Sequence, residues 1–418
     1  MWTDPRAPGP APSTAPPLPP TRPASTDADA IRVPPAELTL FVDSVCRRMG
    51  AGGQVAGEVA EHLVGANLAG HDSHGVLRLP QYVAEAERGD LIPGARPHVL
   101  RRRRASVLLD ARRGFGHYSA RMACELVASL AIEHGVGVVA VRHCGHIGRL
   151  GHYCELLANA GLVGMLTVGA AGPGVGVMAP PGGSGRFLAA NPWALGVPGT
   201  DHPVVVDVSM ALLAEGKITA AAARGEALPE GCVVDAGRRP SRDPADYLAG
   251  GALLPLGSPV AAHKGFGLAL GAALLGGLAA IGDGTPTLAG SQRPPDSTGA
   301  GEIAGVCLIA IDPEAFGGLE PYRAMIADTA ALIADAEAAG AHATVPGAPE
   351  HRSRQARATG IPLPRATVAD LIAVGARFDV PTRLPRTGDA DVDPGAADLA
   401  APRPERPSSR PERPSRRS

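Results

Sequence analysis

The sequence predicts an α/β fold, with a central domain of alternating strands and helices and a second, helical domain built from the two flanking stretches of chain. Three observations lead there. Valine-rich runs of strand length fall in the middle of the 418 residues, at 136–141, 163–168, 204–208 and 306–311. Segments with helical apolar spacing separate them. Outside that stretch helices dominate.

Pro34 and Pro35 precede a helix over residues 36–49, where Leu38, Phe41, Val42, Val45 and Met49 recur at helical spacing. A second helix covers residues 55–68. A third covers 118–134, after the Gly114-Phe115-Gly116 turn, and Gly135 ends it. The 136–141 strand, a helix over 150–160 and the 163–168 strand follow. The 204–208 strand feeds a helix over 211–224. An apolar helix over 264–280, the 306–311 strand and a helix over 321–339 complete the set.

Composition narrows the function. A net charge of -2 offers no general attraction for nucleic acid or an anionic membrane. Aromatics make up only 3% of a chain that is 45% hydrophobic, so the core must be mostly Ala, Val and Leu in close contact. Six scattered cysteines without a CxxC pair read as reduced, buried thiols of a cytoplasmic protein. No signal peptide is visible. The longest uncharged stretch, 266–282, falls short of the ~20 residues of a membrane span and is rich in Gly, so it reads as a buried core helix. Residues 1–33, and those from 383 to the closing RPERPSSRPERPSRRS, bring too little apolar area to offset ordering entropy and are expected to be disordered.

Gly174-Val175-Gly176-Val177-Met178-Ala179 fits a GxGxxA dinucleotide fingerprint. That fingerprint needs a helix to start at the glycines, and Pro180, Pro181, Gly182 and Gly183 forbid one. The expected fold is therefore not a Rossmann fold.

Chemistry concentrates in a few places. His71-Asp72-Ser73-His74-Gly75-Val76-Leu77-Arg78 combines an imidazole suited to proton transfer near neutral pH with a guanidinium fork for a carboxylate; a capped polar loop is the plain alternative. His143-Cys144-Gly145-His146-Ile147-Gly148-Arg149 follows a buried strand and suits a ligand site or a solvated loop. Asp207 closes its strand and either fixes a histidine tautomer or caps the next helix. Lys264 opens the apolar helix, within reach of a phosphate or of solvent alone. His71, His74, His143 and His146 lack the spacing of a metal-binding motif, so no metal is expected.

Taken in order, GHDSHGVLRLPQY, GFGHYSAR, GVGVVAVRHCGHIGRLGHY, AANPWALGVP, VVVDVSMALLAEGKI, LPEGCVVDAGRRPSRDP, HKGFGLAL, AIDPEAF and VPGAPE resemble the malate/L-lactate dehydrogenase family across residues 36–375. The resemblance implies a non-Rossmann NAD(P)-binding α/β domain over 126–318, a helical domain from 34–125 and 319–382, and a homodimer. It implies hydride transfer between nicotinamide and a small 2-hydroxy or 2-oxo acid. His74 would be the proton donor, with Ser73 and Asp207 as relay partners and Arg78 on the substrate carboxylate. His146 would be a second histidine near the nicotinamide. Asn191 and Pro192, then Pro346 and Gly347, match cofactor loops, and Lys264 would reach the cofactor. The loop from Pro198 to Pro203 would lie near the adenosine ribose; it holds Asp201 and no Arg or Lys, which implies NAD, with NADP possible through Arg149 or Arg186. Met210-Ala211 and Ala348 depart from the family pattern, as do extra residues at 258–262. Two alternatives share the scaffold: a cyclic imino-acid reductase, and a catalytically silent nucleotide-binding homologue.

Overall fold

The computed structural model describes residues 30–171, 176–183, 185–280, 305–341, 343–382 and 384. The chain enters through β1 (Ala30–Val33), α1 (Pro35–Arg48) and α2 (Gly53–Leu68). Pro35 sits at the start of α1, where its missing N–H costs nothing, and Leu38, Phe41, Val42 and Val45 form the buried stripe. Two short 3-10 turns, Asp72–His74 and Val76–Arg78, lead into α3 (Leu79–Arg88). Gly89 ends α3 in the left-handed region, at φ 76°.

Next come β2 (His98–Arg103), β3 (Ser106–Asp110), α4 (Gly116–His134), β4 (Val136–Arg142), α5 (Leu150–Asn159), β5 (Val163–Gly169), β6 (Trp193–Val197), β7 (Val204–Val208) and α6 (Glu215–Arg224). A small antiparallel sheet of β8 (Val233–Val234), β9 (Pro240–Ser241) and β10 (Ala252–Leu253) encloses α7 (Pro244–Leu248) in sequence. The chain continues through α8 (Ala262–Gly276), β11 (Gly305–Ile311), α9 (Leu319–Ala338), α10 (Ala348–Arg357), β12 (Ile361–Pro364) and α11 (Arg365–Arg377).

Seven strands form the central sheet in the order β2-β3-β4-β11-β5-β6-β7. Only β3 and β4 run parallel; every other neighbouring pair is antiparallel. The protein is thus α/β with a mixed sheet. Gly174 of the GxGxxA run lies outside the described residues; from Gly176 on no helix follows, since Met178 bridges to Leu188 and Leu253 and Pro180 lies in irregular structure.

Leu166 and Val168 of β5 pack in one cluster with Val127, Leu130 and Leu157 of α4 and α5. Adjacent Gly169 faces the other way, and a Cβ there would stand 2.3 Å from the Ala272 carbonyl oxygen, so its lack of a side chain lets α8 lie directly on the sheet. The expected buried core helix is buried on one face only: Ala269, Ala272 and Ala273 are fully covered, while Leu268, Leu274 and Leu278 are exposed. Residues 262–279 would also be long and apolar enough to span a membrane, but their backbone carbonyls at Leu268 and Ala269 are engaged by Trp193 and Asn191 of the sheet region.

Both ends of the chain share a second core, in which Leu38, Phe41 and Leu63 meet Ile361, Leu363, Val368 and Leu371. The N-terminal stretch expected to be disordered up to residue 33 is ordered from Ala30, because β1 pairs antiparallel with β12 from Ala30↔Pro364 to Val33↔Ile361. A four-residue strand of this kind has no signature in composition. At the other end, Leu384 is buried in the same core. The sheet takes in β2 and β3, counted above with the helical stretch, and residue 125 falls inside α4. The helix expected from 211 starts at Glu215 because Met210–Leu212 are held extended by backbone hydrogen bonds to Leu254 and Leu256. All six cysteines are free and buried.

Candidate functional site

The site begins where α2 stops. Gly70 (φ 85°) ends it, and the chain turns twice through Asp72–His74 and Val76–Arg78. Buried Asn67 holds these turns: its Oδ1 accepts the Val76 N–H at 2.8 Å, and its Nδ2 donates to Asp72 Oδ1 at 2.6 Å. A Cβ on Gly75 would stand 2.1 Å from Asn67 Oδ1, so only glycine fits. Arg357 of α10 donates to the Asn67 carbonyl (2.6 Å) and to Asp72 Oδ1 (2.7 Å). Ser353 Oγ donates to the Leu68 carbonyl.

On this frame stand the sequence-predicted groups. Ser73 Oγ and His74 Nδ1 are 3.1 Å apart. Arg78 Nε donates to the Ser73 carbonyl at 2.7 Å and one Nη to Gln81 at 2.8 Å; its other Nη has no hydrogen-bond partner among the described residues. His146, from the loop after β4, lies parallel to His74, with ring centroids 5.6 Å apart and planes 11° from parallel. Both residues are half-buried overall. Burial, then the Arg78 charge, lowers the His74 imidazole from 6.5 to about 4, and the same two causes hold His146 well below its ordinary value. His74, His146 and Arg78 therefore share one electrostatic neighbourhood: two neutral imidazoles beside a cation with an unused donor edge.

Asp207 is placed differently from the other relay candidates. Its Oδ2 accepts the Gly151 N–H at 2.7 Å, which caps the first turn of α5, and no hydrogen bond joins it to His74 or Ser73. Burial raises its pKa against the pull of that N–H and of Arg149. The carboxylate beside it belongs to Glu350, absent from the sequence reading, which pairs with His71 Nε2 at 2.9 Å and is held low by that contact. Glu350 lies two positions beyond Ala348, where the family pattern has glutamate. Arg149 is buried and paired with Glu155 at 2.6 Å; Arg354 binds the same carboxylate.

The expected cofactor residues fall into separate groups. Asp201 and Gly347 line one cavity of about 370 Å³ with His152, His202, His351 and Arg354. Pro346 does not line it; its carbonyl accepts the Val205 N–H at 3.1 Å, which ties the Gly347 loop to β7. Pro198 ends the strand leading there. Asn191, at φ 40° and buried, spends its amide on the Ala170 backbone and the Ala269 carbonyl, so it braces the loop with Pro192 rather than presenting a free polar group. Lys264 is exposed in the first turn of α8. A larger cavity, about 880 Å³, is lined by Arg96, Arg112, Arg113 and His143 and contains none of these residues. Among the described residues, no group of three or more His, Cys, Asp or Glu is placed to hold a metal ion.

Sequence reading also missed Tyr82 and His117. Tyr82 Oη lies 2.7 Å from His146 Nδ1 and 3.4 Å from His117 Nε2, behind the exposed edge of the site. The partners are far apart in sequence and polar atoms in an apolar helix pattern carry no periodic signal.

Comparison with known proteins gives the family. The family described as malate/L-lactate dehydrogenase matches residues 33–372. The chain is 33% identical to L-sulfolactate dehydrogenase of Methanocaldococcus jannaschii over 328 residues, which is 78% of this chain and 91% of that one. The solved structure of that enzyme superposes with a TM-score of 0.73, covering 84% of this chain and 98% of the other. Hydroxycarboxylate dehydrogenase B of Escherichia coli K12 is 35% identical over 66% of this chain and 74% of its own. A Δ1-pyrroline-2-carboxylate/Δ1-piperideine-2-carboxylate reductase of Pseudomonas putida is 34% identical over 61% of this chain and 74% of its own.

Proposed function

This chain belongs to the malate/L-lactate dehydrogenase family, and we propose that it transfers a hydride reversibly between a nicotinamide cofactor and a small 2-hydroxy or 2-oxo acid. The observation that carries this reading is the grouping of His74, His146 and Arg78 at one partly open face. The cofactor, when bound, supplies or takes the hydride. Arg78 receives the substrate carboxylate on its unpartnered Nη edge, while Ser73 and Gln81 hold the rest of the guanidinium still. His74 gives a proton to the carbonyl oxygen in reduction and takes it from the hydroxyl in oxidation. Ser73 orients that imidazole through the 3.1 Å contact. Asp207 acts through the α5 terminus, where its bond to Gly151 N–H fixes the segment that follows His146.

The cavity bearing Asp201 and Gly347 fits part of a dinucleotide, since it offers carboxylate, imidazole and guanidinium groups on one concave surface. Asp201 would accept from ribose hydroxyls, and Lys264 would meet a phosphate. NAD is the cofactor this arrangement favours. Arg149 is spent on Glu155, and Arg186 on the Tyr247 ring and the Gly251 and Tyr247 carbonyls, so neither is open to a 2′-phosphate. Arg354 lines the cavity but is matched by Glu155. A homodimer would cover the exposed Leu268 and Leu274 of α8, Leu278 just after it, and Met325 and Leu332 of α9. The six free thiols suit a cytoplasmic setting.

The test is oxidation of NADH and NADPH by a panel of 2-oxo acids and cyclic imines. Turnover of one or more 2-oxo acids is expected; a protein inert to the whole panel would be a silent homologue. The efficiency ratio for the two cofactors should favour NADH, and Asp201→Ser should narrow it. An NADPH preference that Asp201→Ser leaves unchanged would remove this loop from cofactor choice.

A further inference from the structure

We propose that Tyr82, backed by His117, locks His146 as a hydrogen-bond donor toward the substrate, and that this fixed donor makes the site select a carbonyl oxygen over a protonated cyclic imine. The proposal rests on the dehydrogenase reading of the site and narrows its substrate class.

The assignment follows from counting protons. Tyr82 and His117 are fully buried, and burial keeps the phenol protonated and both imidazoles neutral. Each neutral ring then owns one N–H, and the phenol one O–H. Two arrangements are open. Either Tyr82 donates to His146 Nδ1 and accepts from His117, or it donates to His117 Nε2 and accepts from His146.

Two observations select the first. The Tyr82–His146 separation of 2.7 Å is that of an O–H donor, shorter than the ~2.9 Å usual when nitrogen donates, while the 3.4 Å contact to His117 is the weaker one. The second observation is His62, whose ring centroid lies 4.8 Å from that of His117. His62 Nε2 accepts the Arg149 backbone N–H at 2.9 Å, so its own proton sits on Nδ1, which is buried without a partner. His117 Nδ1 is also buried without a partner. If Tyr82 donated to His117 Nε2, the His117 proton would move to Nδ1, and adjacent rings would bury two unmatched donors. With Tyr82 donating to His146, His117 Nδ1 is a lone pair instead. Buried N–H groups left unmatched are the rarer and costlier case.

His146 thus carries its proton on Nε2, on the ring edge that Tyr82 leaves free, in a ring stacked beside His74 on a residue that is half-buried overall. A ketone oxygen offers lone pairs to that N–H. Its negative charge grows as the hydride reaches the carbon, so the bond strengthens along the reaction. In reduction a C–H bond forms from the hydride and an O–H bond from the His74 proton, while His146 keeps its own. A cyclic imine accepts hydride as its iminium, whose nitrogen bears a hydrogen and no lone pair. It meets a fixed donor unfavourably.

The test uses the full-length protein with ¹⁵N-labelled histidine, with the His146 resonances assigned by comparison with His146→Gln. An unprotonated Nδ1 and a protonated Nε2 are expected in the wild type, and a mixture of tautomers in Tyr82→Phe. A proton on Nδ1 in the wild type overturns the proposal, and this reading needs no variant of Tyr82 to fold. Kinetically, the wild type should favour oxaloacetate over Δ1-piperideine-2-carboxylate. Tyr82→Phe should lower kcat for oxaloacetate by roughly tenfold, the value of one lost charge-assisted hydrogen bond, with KM changed less and the imine rate nearly unaltered. Equal losses on both substrates, or a wild type that prefers the imine, overturn the selectivity. Inactivity on both overturns the dehydrogenase reading instead, and the nitrogen shifts still decide the tautomer.

Discussion

With His74 as the proposed proton donor, its protonation sets how the rate should depend on pH. Burial comes first, then the charges of Arg78, His71 and Arg149, and together they lower its imidazole from 6.5 to about 4. At pH 7 the free enzyme then carries that proton in about one molecule in a thousand, a deficit of about 4 kcal/mol at 1.36 kcal/mol per unit. Because kcat/KM reports the free enzyme's groups, its value for 2-oxo-acid reduction should fall about tenfold per unit between roughly pH 5 and 8. For oxidation, where neutral His74 takes the proton, kcat/KM should stay level over the same range. Arg78→Gln removes the largest of the charge contributions. The imidazole then moves up, and the inflection moves with it toward neutral pH, even as the lost carboxylate clamp raises KM. Initial rates of cofactor absorbance change, in buffers of constant ionic strength and in both directions, measure the two effects separately. An inflection that stays put in Arg78→Gln, or a sloping profile that survives in His74→Ala, would refute the reasoning.

Three further outcomes are expected. His74→Ala should cut turnover by roughly a hundred- to ten-thousand-fold with little change in cofactor affinity, measured by steady-state kinetics and cofactor fluorescence titration. Gly75→Ala drives a Cβ to 2.1 Å from Asn67 Oδ1 and should cost about 1–3 kcal/mol, read as a lowered denaturant midpoint together with weaker activity. His117, lowered by burial first and then by His152 and His74 from 6.5 to about 3, makes the fold acid-sensitive: the unfolded chain takes up a proton below about pH 6.5 that the folded one refuses until about pH 3. Stability is therefore full above pH 6.5 and falls as pH drops through that window, so His117→Gln should flatten the decline in urea midpoint between pH 6.5 and 4.

Strands β4, β5 and β11 were legible because they are largely buried on both faces and read as nearly continuous apolar runs. β2 was not, since His98–Arg103 is exposed along its length and four of its six residues are charged or imidazole, without alternation. α10 and α11 went unassigned for related reasons: α10 has no buried residue and α11 follows a strand of alternating prolines. In the site, His74 and Arg78 could be singled out by residue type and spacing, with a capped polar loop as the alternative, and their roles came from the family resemblance. The partner of Asp207 could not, since it depends on β7 delivering a carboxylate to the first turn of α5. Nor could the meeting of Tyr82, His117 and His62, which come from α3, α4 and α2 and touch only after those helices pack.

The grip of α10 on the turn that bears His74 also fixes when the site can exist. Arg357 reaches Asp72 across 285 positions and the Asn67 carbonyl across 290, and Ser353 reaches Leu68 across 285. A ribosome delivers residues 71–78 long before the α10 groups that clamp them. The nascent chain can build α1, α2 and much of the sheet beforehand, and Asn67 can already hold the turn, but the segment bearing His74 lacks its second clamp until α10 arrives. Assembly of the centre is thus a closing event of high sequence separation, among the slowest steps the fold has to make.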